Sequence, residues 1–136
     1  MTDIGTFRRY RPDPSRIGRS ETWTHAHASA GVTTESIVVT VAGELDASNA
    51  HEFSRYVEEH GAITDRLYVD LREVTFFSTS GLAALYRLHH QSTQCGSRWW
   101  LLASPAVRKV LRMCDAQHLP QVEGLKSDVH ATPLLV

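Results

Sequence analysis

Alternating runs of apolar and polar residues divide the middle of the chain into strands and helices. The segments "IVVTVAGEL", "RLYVDLREVTFF" and "SRWWLLA" are rich in β-branched and aromatic residues, which favour strands. Each is followed by a segment with apolar residues at helical spacing, namely "DASNAHEFSRYVEEHG", "GLAALYRLHHQSTQ" and "SPAVRKVLRMCDAQHL". The repeated order of strand and helix predicts a mostly parallel sheet covered by helices.

A β-hairpin is expected before this alternation begins. "TWTHAHA" alternates Trp23 with small or polar residues, and "SAGVTTES" is rich in residues that favour turns. We therefore predict an outer strand at about 21–29 that pairs antiparallel with an inner strand at 36–43. The predicted fold class is α/β, a single domain with a mixed, mostly parallel sheet of about four to five strands.

The two ends of the chain have weaker patterns than the middle. Residues 1–20 contain five arginines and two prolines without an apolar period, which predicts a flexible Arg-rich tail ahead of a folded domain at 21–136. A solvated arm accounts for these arginines, and contact with an acidic partner is the alternative. At the other end we expect one short strand around Val122 and at most a turn or two of helix after Ser127.

Composition and charge narrow the classes of partner. A chain of 136 residues fits one domain, and 42% hydrophobic with 21% charged residues is typical of globular proteins. The formal net charge of −1 gives no electrostatic reason to expect nucleic acid or an anionic membrane as a partner. No run approaches the roughly 20 apolar residues that span a bilayer, and the N-terminus lacks the apolar region of a secretory signal. We expect a cytoplasmic protein.

Three consecutive hydroxyl residues, Ser78, Thr79 and Ser80, stand directly before Gly81 at the predicted start of a helix. The first N–H groups of a helix lack intrahelical partners and carry a partial positive charge, so a hydroxyl can cap them and an anion is tolerated nearby. Two interpretations follow. The cluster is a plain N-cap, which needs only one hydroxyl, or it is a phosphorylation site that gains about −1.5 to −2 charges.

A serine hydrolase is a further interpretation of the hydroxyl cluster. A serine triad has candidate partners in the acidic and histidine residues, namely Asp46, Asp70, His89 and His118. However, "FSTSG" lacks the glycine two residues before the serine of a nucleophile elbow, and no glycine-rich phosphate-binding loop occurs. We expect no enzymatic activity and no cofactor.

Metal binding is not expected either. His25 and His27 are the only histidines spaced for one face of a strand, and an exposed strand face explains them without a metal. Cys95 and Cys114 form no disulfide framework, and their spacing does not match a zinc site.

Three blocks of this sequence resemble the signature blocks of the STAS domain, in particular of bacterial anti-sigma factor antagonists. They are "IVVTVAGELDASNAHEF", "LYVDLREVTFFSTSGLAALYRL" and "WWLLASPAVRKVLRMCDAQHL", and the resemblance covers about Glu21 to Val122. The family's "GELD"-like turn is matched by residues 43–46, and its "D-S-S-G-L" motif by residues 78–82. This match places Ser80 on the family's phosphoacceptor serine and Ser78 on its aspartate.

The resemblance implies a partner switch in which the chain binds and its partners catalyse. The unphosphorylated antagonist binds an anti-sigma factor, often a serine kinase with a histidine-kinase-like ATPase fold, and so releases a sigma factor. Phosphorylation, here at Ser80 ahead of Thr79 or Ser78, ends that interaction, and a serine phosphatase restores it. The partner-binding residues carried over by the resemblance are Asp46, Ser78, Thr79, Ser80, Gly81 and Leu82.

Two alternatives for regulation remain within the same family. One is a STAS module that senses a small molecule or nucleotide. The other is a redox switch, since some members are proposed to be controlled by a disulfide and Cys95 and Cys114 would lie late in successive helices. A pair of buried thiols without that role is also consistent with the sequence, because a disulfide needs Cα atoms within about 7 Å.

Overall fold

The computed structural model describes residue 15, residues 17–125 and the backbone of residues 132–133. Its sheet has the strand order β1-β2-β3-β4-β5, and a two-residue strand, β6, pairs with β2. The strands are β1 Glu21–Trp23, β2 Ala26–Val32, β3 Ile37–Leu45, β4 Arg66–Phe77, β5 Arg98–Ala103 and β6 Thr132–Pro133. The helices are α1 Ala50–Gly61, α2 Thr79–Cys95 and α3 Pro105–Met113.

The predicted α/β fold, a mixed sheet with an N-terminal antiparallel hairpin and packed helices, is confirmed. Among the described strands three pairs are antiparallel and two are parallel, so the sheet is mixed but not mostly parallel. β1, β2 and β3 pair antiparallel, whereas β3, β4 and β5 pair parallel. The apolar residues of one sheet face, together with those of α1, α2 and α3, form a single large core. None of the helices among the described residues is both long and apolar enough to cross a membrane.

The N-terminal hairpin differs from the prediction in its boundaries. The outer strand expected at 21–29 is two strands, because Thr24 and His25 form a turn in which His25 has a φ of 67°. The strand after this turn continues to Val32. Its inward positions are alanines, which give only a weak strand signal in the sequence.

The C-terminal strand is also smaller than expected. The strand predicted around Val122 is a single parallel bridge between Leu101 and Gln121. The short helix expected after Ser127 lies outside the described residues.

The parallel pairing of β3 and β4 determines where their C-terminal ends lie. Leu45 is opposite Phe77, and the N–H of Ser78 donates a 2.9 Å hydrogen bond to the carbonyl of Leu45. The segments that follow the two strands therefore leave the sheet side by side. We call residues 44–48 and 75–80 together the carboxyl edge.

A buried side chain, Asn49, holds one half of this edge to the N-terminal strands. Asn49 is 1% exposed, and its amide nitrogen donates to the carbonyls of Thr24 at 2.6 Å and Glu44 at 2.8 Å. Its side-chain oxygen accepts the N–H of Asp46 at 3.1 Å. Asp46 and Ser48 are residue types that favour helix caps, but the N-cap position of α1 is Asn49, and its side chain makes these contacts in place of a cap.

The end of the predicted tail is anchored on α1. The N–H of Gly18 donates to Nε2 of His60 at 2.9 Å, and the hydroxyl of Tyr56 donates to the carbonyl of Arg19 at 2.7 Å. Because Nε2 accepts, Nδ1 of the fully buried His60 carries the proton and donates to the carbonyl of Tyr56 at 2.9 Å. Most of the predicted tail, residues 1–14 and 16, lies outside the described residues.

The neutral His60 makes stability depend on pH. Burial lowers the pKa of His60 below its ordinary value of 6.5, and the charge of Arg55 lowers it slightly further. The Tyr56 carbonyl, Glu59 and Glu21 raise this pKa, but their effects are smaller than that of burial. The unfolded chain therefore binds more protons than the folded one just below pH 6.5. This stabilisation is fully present above that pH and is lost as the pH falls through the folded pKa.

We expect the difference in unfolding free energy between wild type and His60→Gln to be largest at about pH 8 and to narrow towards about pH 5, by at most about 1.4 kcal/mol per pH unit. Urea unfolding of both proteins at each pH measures it, and other titrating groups cancel in the difference. A difference that is constant with pH would contradict a neutral buried His60.

Asn49→Ala should destabilise the protein by about 1–3 kcal/mol, because two carbonyls and one N–H lose their partner. Asn49→Asp should be at least as destabilising, since it replaces the donating amide by a carboxylate that faces both carbonyls. Ser48→Ala is the matched control; Ser48 is exposed, and its loss should cost less than about 1 kcal/mol. Equal losses for Asn49→Ala and Ser48→Ala would show that Asn49 does not hold the edge.

Candidate functional site at the carboxyl edge

The hydroxyl cluster begins α2 as predicted, and one of its three members is the cap. Ser78 has an extended backbone conformation, and its Oγ accepts the N–H of Ser80 at 3.1 Å. Its carbonyl accepts the N–H groups of Gly81 at 3.0 Å and Leu82 at 3.2 Å. Ser78 therefore satisfies the start of the helix without help from the other two hydroxyls.

The remaining hydroxyls are available for chemistry. Thr79 is exposed and Ser80 is partly exposed. Within the part of the chain that the structure describes, neither side-chain hydroxyl has a hydrogen-bond partner. Capping accounts for Ser78 alone, and the interpretation of the cluster as a phosphorylation site stays a prediction.

Gly81 and Leu82 bind the start of α2 to the sheet. A Cβ atom on Gly81 would lie 2.6 Å from the ring of Phe77, so only glycine permits this close approach. Leu82 is 5% exposed and belongs to the main core. Both residues position Ser80; their predicted role in direct partner contact stays a prediction.

Asp46 occupies the turn after β3. Its Oδ1 accepts the N–H of Ser48 at 2.9 Å and the hydroxyl of Ser48 at 2.5 Å, while its Oδ2 lies 3.5 Å from Nδ1 of His25. The hydrogen bonds from Ser48 and the proximity of His25 lower the pKa of Asp46, against a smaller raising effect of burial. Asp46 is therefore a carboxylate at neutral pH.

Phe76 is an exposed aromatic residue of the carboxyl edge that the sequence pattern does not predict. It lies opposite Glu44 near the end of β4, and 51% of it is exposed. Residues 72–77 of β4 extend past the last pair with β5, which joins Leu71 to Ala103. The apolar run "VTFF" reads as a buried strand, and only the register shifts between β3 and β4 turn Phe76 outwards.

Two of the four residues named for a serine triad, Asp70 and His89, are engaged in other contacts. The carboxylate of Asp70 accepts two hydrogen bonds from the guanidinium of Arg72, at 2.9 and 2.8 Å, and a third from its backbone N–H at 3.1 Å. His89 accepts the indole N–H of Trp99 at 3.0 Å. Neither side chain is free to activate Ser80.

The cysteines are not buried, so that expectation is wrong. Cys95 and Cys114 are both exposed and both free thiols. Cys95 is the last residue of α2, and Cys114 is the C-cap residue of α3, so each lies where a helix emerges from the core. A redox role for the pair stays a prediction.

A small surface cavity lies beyond the C-terminal end of β5. Its volume is about 320 Å³, and its lining includes Arg72, Ser104 and Arg108. Arg72 is paired with Asp70, and Arg108 donates to the carbonyl of Ala103 at 2.8 Å. Both arginines of the lining are thus already engaged, whereas the exposed side chain of Glu123, which also lines the cavity, has no partner among the described residues.

Comparisons with known proteins agree with this fold. Osmosensory protein A of Mycobacterium tuberculosis (strain ATCC 25618 / H37Rv) is 34% identical over 94 residues, which cover 68% of this chain and 60% of that protein. This chain therefore spans less than two thirds of that relative.

Solved structures of anti-sigma factor antagonists are similar in fold. One from Mycobacterium paratuberculosis has a TM-score of 0.64 at 22% identity, covering 74% of this chain and 87% of that one. Unphosphorylated SpoIIAA has a TM-score of 0.59 at 19% identity, covering 74% and 90%. Phosphorylated SpoIIAA from Bacillus has a TM-score of 0.58 at 20% identity, covering 74% of this chain and 94% of that one. At these identities the similarity establishes the fold alone.

The family itself follows from the sequence match. The sequence model of the STAS domain family matches residues 27–131 of this chain. These residues contain β3, β4, β5, all three helices and the whole carboxyl edge. This chain belongs to the STAS domain family.

Proposed function

We propose that this chain is an anti-sigma factor antagonist, which binds an anti-sigma factor through the carboxyl edge and is released by phosphorylation of Ser80. The observation that carries the proposal is the hydroxyl of Ser80. It is accessible and unbonded in the first turn of α2, while the neighbouring Ser78 already supplies the cap. The sigma factor is then released when the anti-sigma factor is bound.

The position of Ser80 favours a switch that leaves the fold intact. A phosphate near a helix N-terminus meets the positive end of the helix dipole, so it is tolerated there. SpoIIAA adopts this fold in both its unphosphorylated and phosphorylated forms. Phosphorylation at Ser80 would therefore change the surface charge and leave the packing of α2 unchanged.

The charge of the carboxyl edge favours dissociation when Ser80 is phosphorylated. The carbonyl of Leu45 accepts a hydrogen bond from the N–H of Ser78. Glu44 and Asp46 are the residues directly before and after Leu45, so two carboxylates flank this contact. A phosphate of about −1.5 to −2 charges would join these carboxylates on one small surface. Like charges brought together at an interface cost several kcal/mol, and roughly 1.4 kcal/mol is a tenfold change in affinity.

Ser78 replaces the family's aspartate without loss of the cap. Serine and aspartate are comparable N-cap residues, because each accepts the N–H of the second or third helical residue. The change removes one negative charge beside Ser80 and keeps the local geometry. The fold therefore does not require an acidic residue at this position, and phosphorylation depends on how the partner kinase contacts Ser78.

Exposed apolar surface supports a protein partner. Phe76 is a half-exposed aromatic side chain on the same edge as Ser80 and Asp46, and aromatic residues are enriched among the residues that dominate binding energy. The proposed partner is an anti-sigma factor with a histidine-kinase-like ATPase fold, and a serine phosphatase would restore binding. These partners supply the catalytic groups, whereas this chain binds one partner and is the substrate of the kinase and the phosphatase. It acts in the cytoplasm.

Ser80→Glu should weaken binding to the anti-sigma factor recovered from the source cells at least tenfold, whereas Ser80→Ala should bind like wild type. The reason is that Glu adds a negative charge to the carboxyl edge and Ala adds none. Thr93→Glu, an exposed position late in α2, is the matched control and should leave affinity unchanged. Calorimetry or surface plasmon resonance measures the dissociation constants.

Equal affinity of Ser80→Glu and Ser80→Ala would contradict the charge switch. Equal weakening by Ser80→Glu and Thr93→Glu would show that the effect of negative charge on α2 is not specific to the edge. Intact-mass analysis after incubation with the kinase and ATP completes the test, because one added phosphate should appear on wild type and not on Ser80→Ala.

A further inference from the structure

Three side chains with metal-binding atoms converge beside the carboxyl edge. They are His25, from the turn between β1 and β2, Glu44, near the end of β3, and Asp46, directly after β3. Their ligand atoms all lie within 4.8 Å of one another, and Nδ1 of His25 is 3.5 Å from Oδ2 of Asp46. His25 and Glu44 are exposed, and Asp46 is partly exposed, so an ion could reach them from solvent.

The backbone that carries these groups is held from inside the protein. The buried amide of Asn49 donates to the carbonyls of Thr24 and Glu44 and accepts the N–H of Asp46. It therefore connects the turn that contains His25 to the segment that contains Glu44 and Asp46. The N–H of Glu44 also donates to the carbonyl of His25 at 2.8 Å. The backbone positions of the three residues are therefore held before any ion arrives, which favours a metal site.

Gly43 allows this close approach of β3 to the turn. It has a φ of 112°, and a Cβ atom at this position would lie 2.3 Å from the carbonyl oxygen of His25. The strand therefore reaches the His25 turn only because residue 43 is glycine.

The charges of the cluster are uncompensated. Among the described residues, no lysine or arginine pairs with Glu44 or Asp46. The N–H and the hydroxyl of Ser48 both donate to Oδ1 of Asp46, and Oδ2 faces His25. Two carboxylates and an imidazole nitrogen thus face one point with no cation of the protein between them.

The donor types and distances fit a zinc-like ion. Zinc bonds to imidazole nitrogen and carboxylate oxygen at about 2.0–2.2 Å, so two ligands of a tetrahedral ion lie roughly 3.3–3.5 Å apart. The His25–Asp46 distance of 3.5 Å already meets this value, and the exposed Glu44 side chain can rotate to close the remainder. Calcium takes six to eight oxygen ligands, which three side chains with one nitrogen do not supply.

We propose that His25, Glu44 and Asp46 form a binding site for a zinc-class divalent ion, with water at the fourth position. In the sequence, His25 stands out only through its spacing from His27, which does not by itself indicate a metal site. His27 instead contacts the hydroxyl of Thr22 at 3.2 Å and takes no part in the cluster. The site does not depend on an anti-sigma factor or on phosphorylation of Ser80.

Isothermal titration of the full chain with zinc chloride tests the site. Cys95 and Cys114 are replaced by serine, because exposed thiols also bind zinc. We expect one zinc ion per chain, no measurable binding of magnesium, and at least tenfold weaker zinc binding in Glu44→Gln, in Asp46→Asn and in His25→Ala. His27→Ala, the matched histidine control, should bind zinc like the parent.

Two results would overturn the proposal. One is the absence of zinc binding at millimolar concentration. The other is zinc binding that survives Glu44→Gln and Asp46→Asn but is lost in His27→Ala. Circular dichroism of each variant shows whether it is folded; Glu44 is exposed and its side chain has no partner in the described part of the chain, so Glu44→Gln keeps the test decisive even if another variant unfolds.

Discussion

The parallel pairing of β3 with β4 is the constraint on which the functional surface depends. It places Leu45 opposite Phe77 and allows the Ser78 N–H to bond the Leu45 carbonyl, so that the turn after one strand touches the helix start after the other. The hydroxyl of Ser80 and the carboxylate of Asp46 thereby share an edge, although Ser80 lies 34 positions after Asp46 along the chain. A hydrogen bond between neighbouring strand ends is what makes the edge one surface.

Features with a strong local cause could be predicted from the sequence. The long strand before the hydroxyl cluster, the helix after it and the capping chemistry at their junction depend on residues close together in sequence, and the structure has each of them. The turn at His25, the role of Asn49 and the exposure of Phe76 could not be predicted. Each is fixed by a contact with a distant segment: His25 with the bulged end of β3, Asn49 with the carbonyl of Thr24, and Phe76 with the shifted register of β4.

The same reasoning separates structural from functional residues within one motif. Ser78, Gly81 and Leu82 have structural tasks, since they cap the helix, permit its approach to Phe77 and fill the core. Thr79 and Ser80 have none that the contacts reveal. The resemblance assigns partner binding to all five positions, whereas burial and hydrogen bonding leave Thr79 and Ser80 as the two hydroxyls without a structural contact among the described residues. The zinc-class site proposed beside them would add a cation to the same edge that a phosphate makes more negative.

Cross-linking mass spectrometry of the full chain, captured with its partner from the source cells, tests most directly whether the carboxyl edge is the binding surface. The account predicts that cross-links between the two proteins originate from residues 44–48 and 75–80, and that peptides containing phosphorylated Ser80 occur only in the unbound fraction. Cross-links confined to the outer faces of α1 and α3, or phosphorylated Ser80 in the complex, would contradict it.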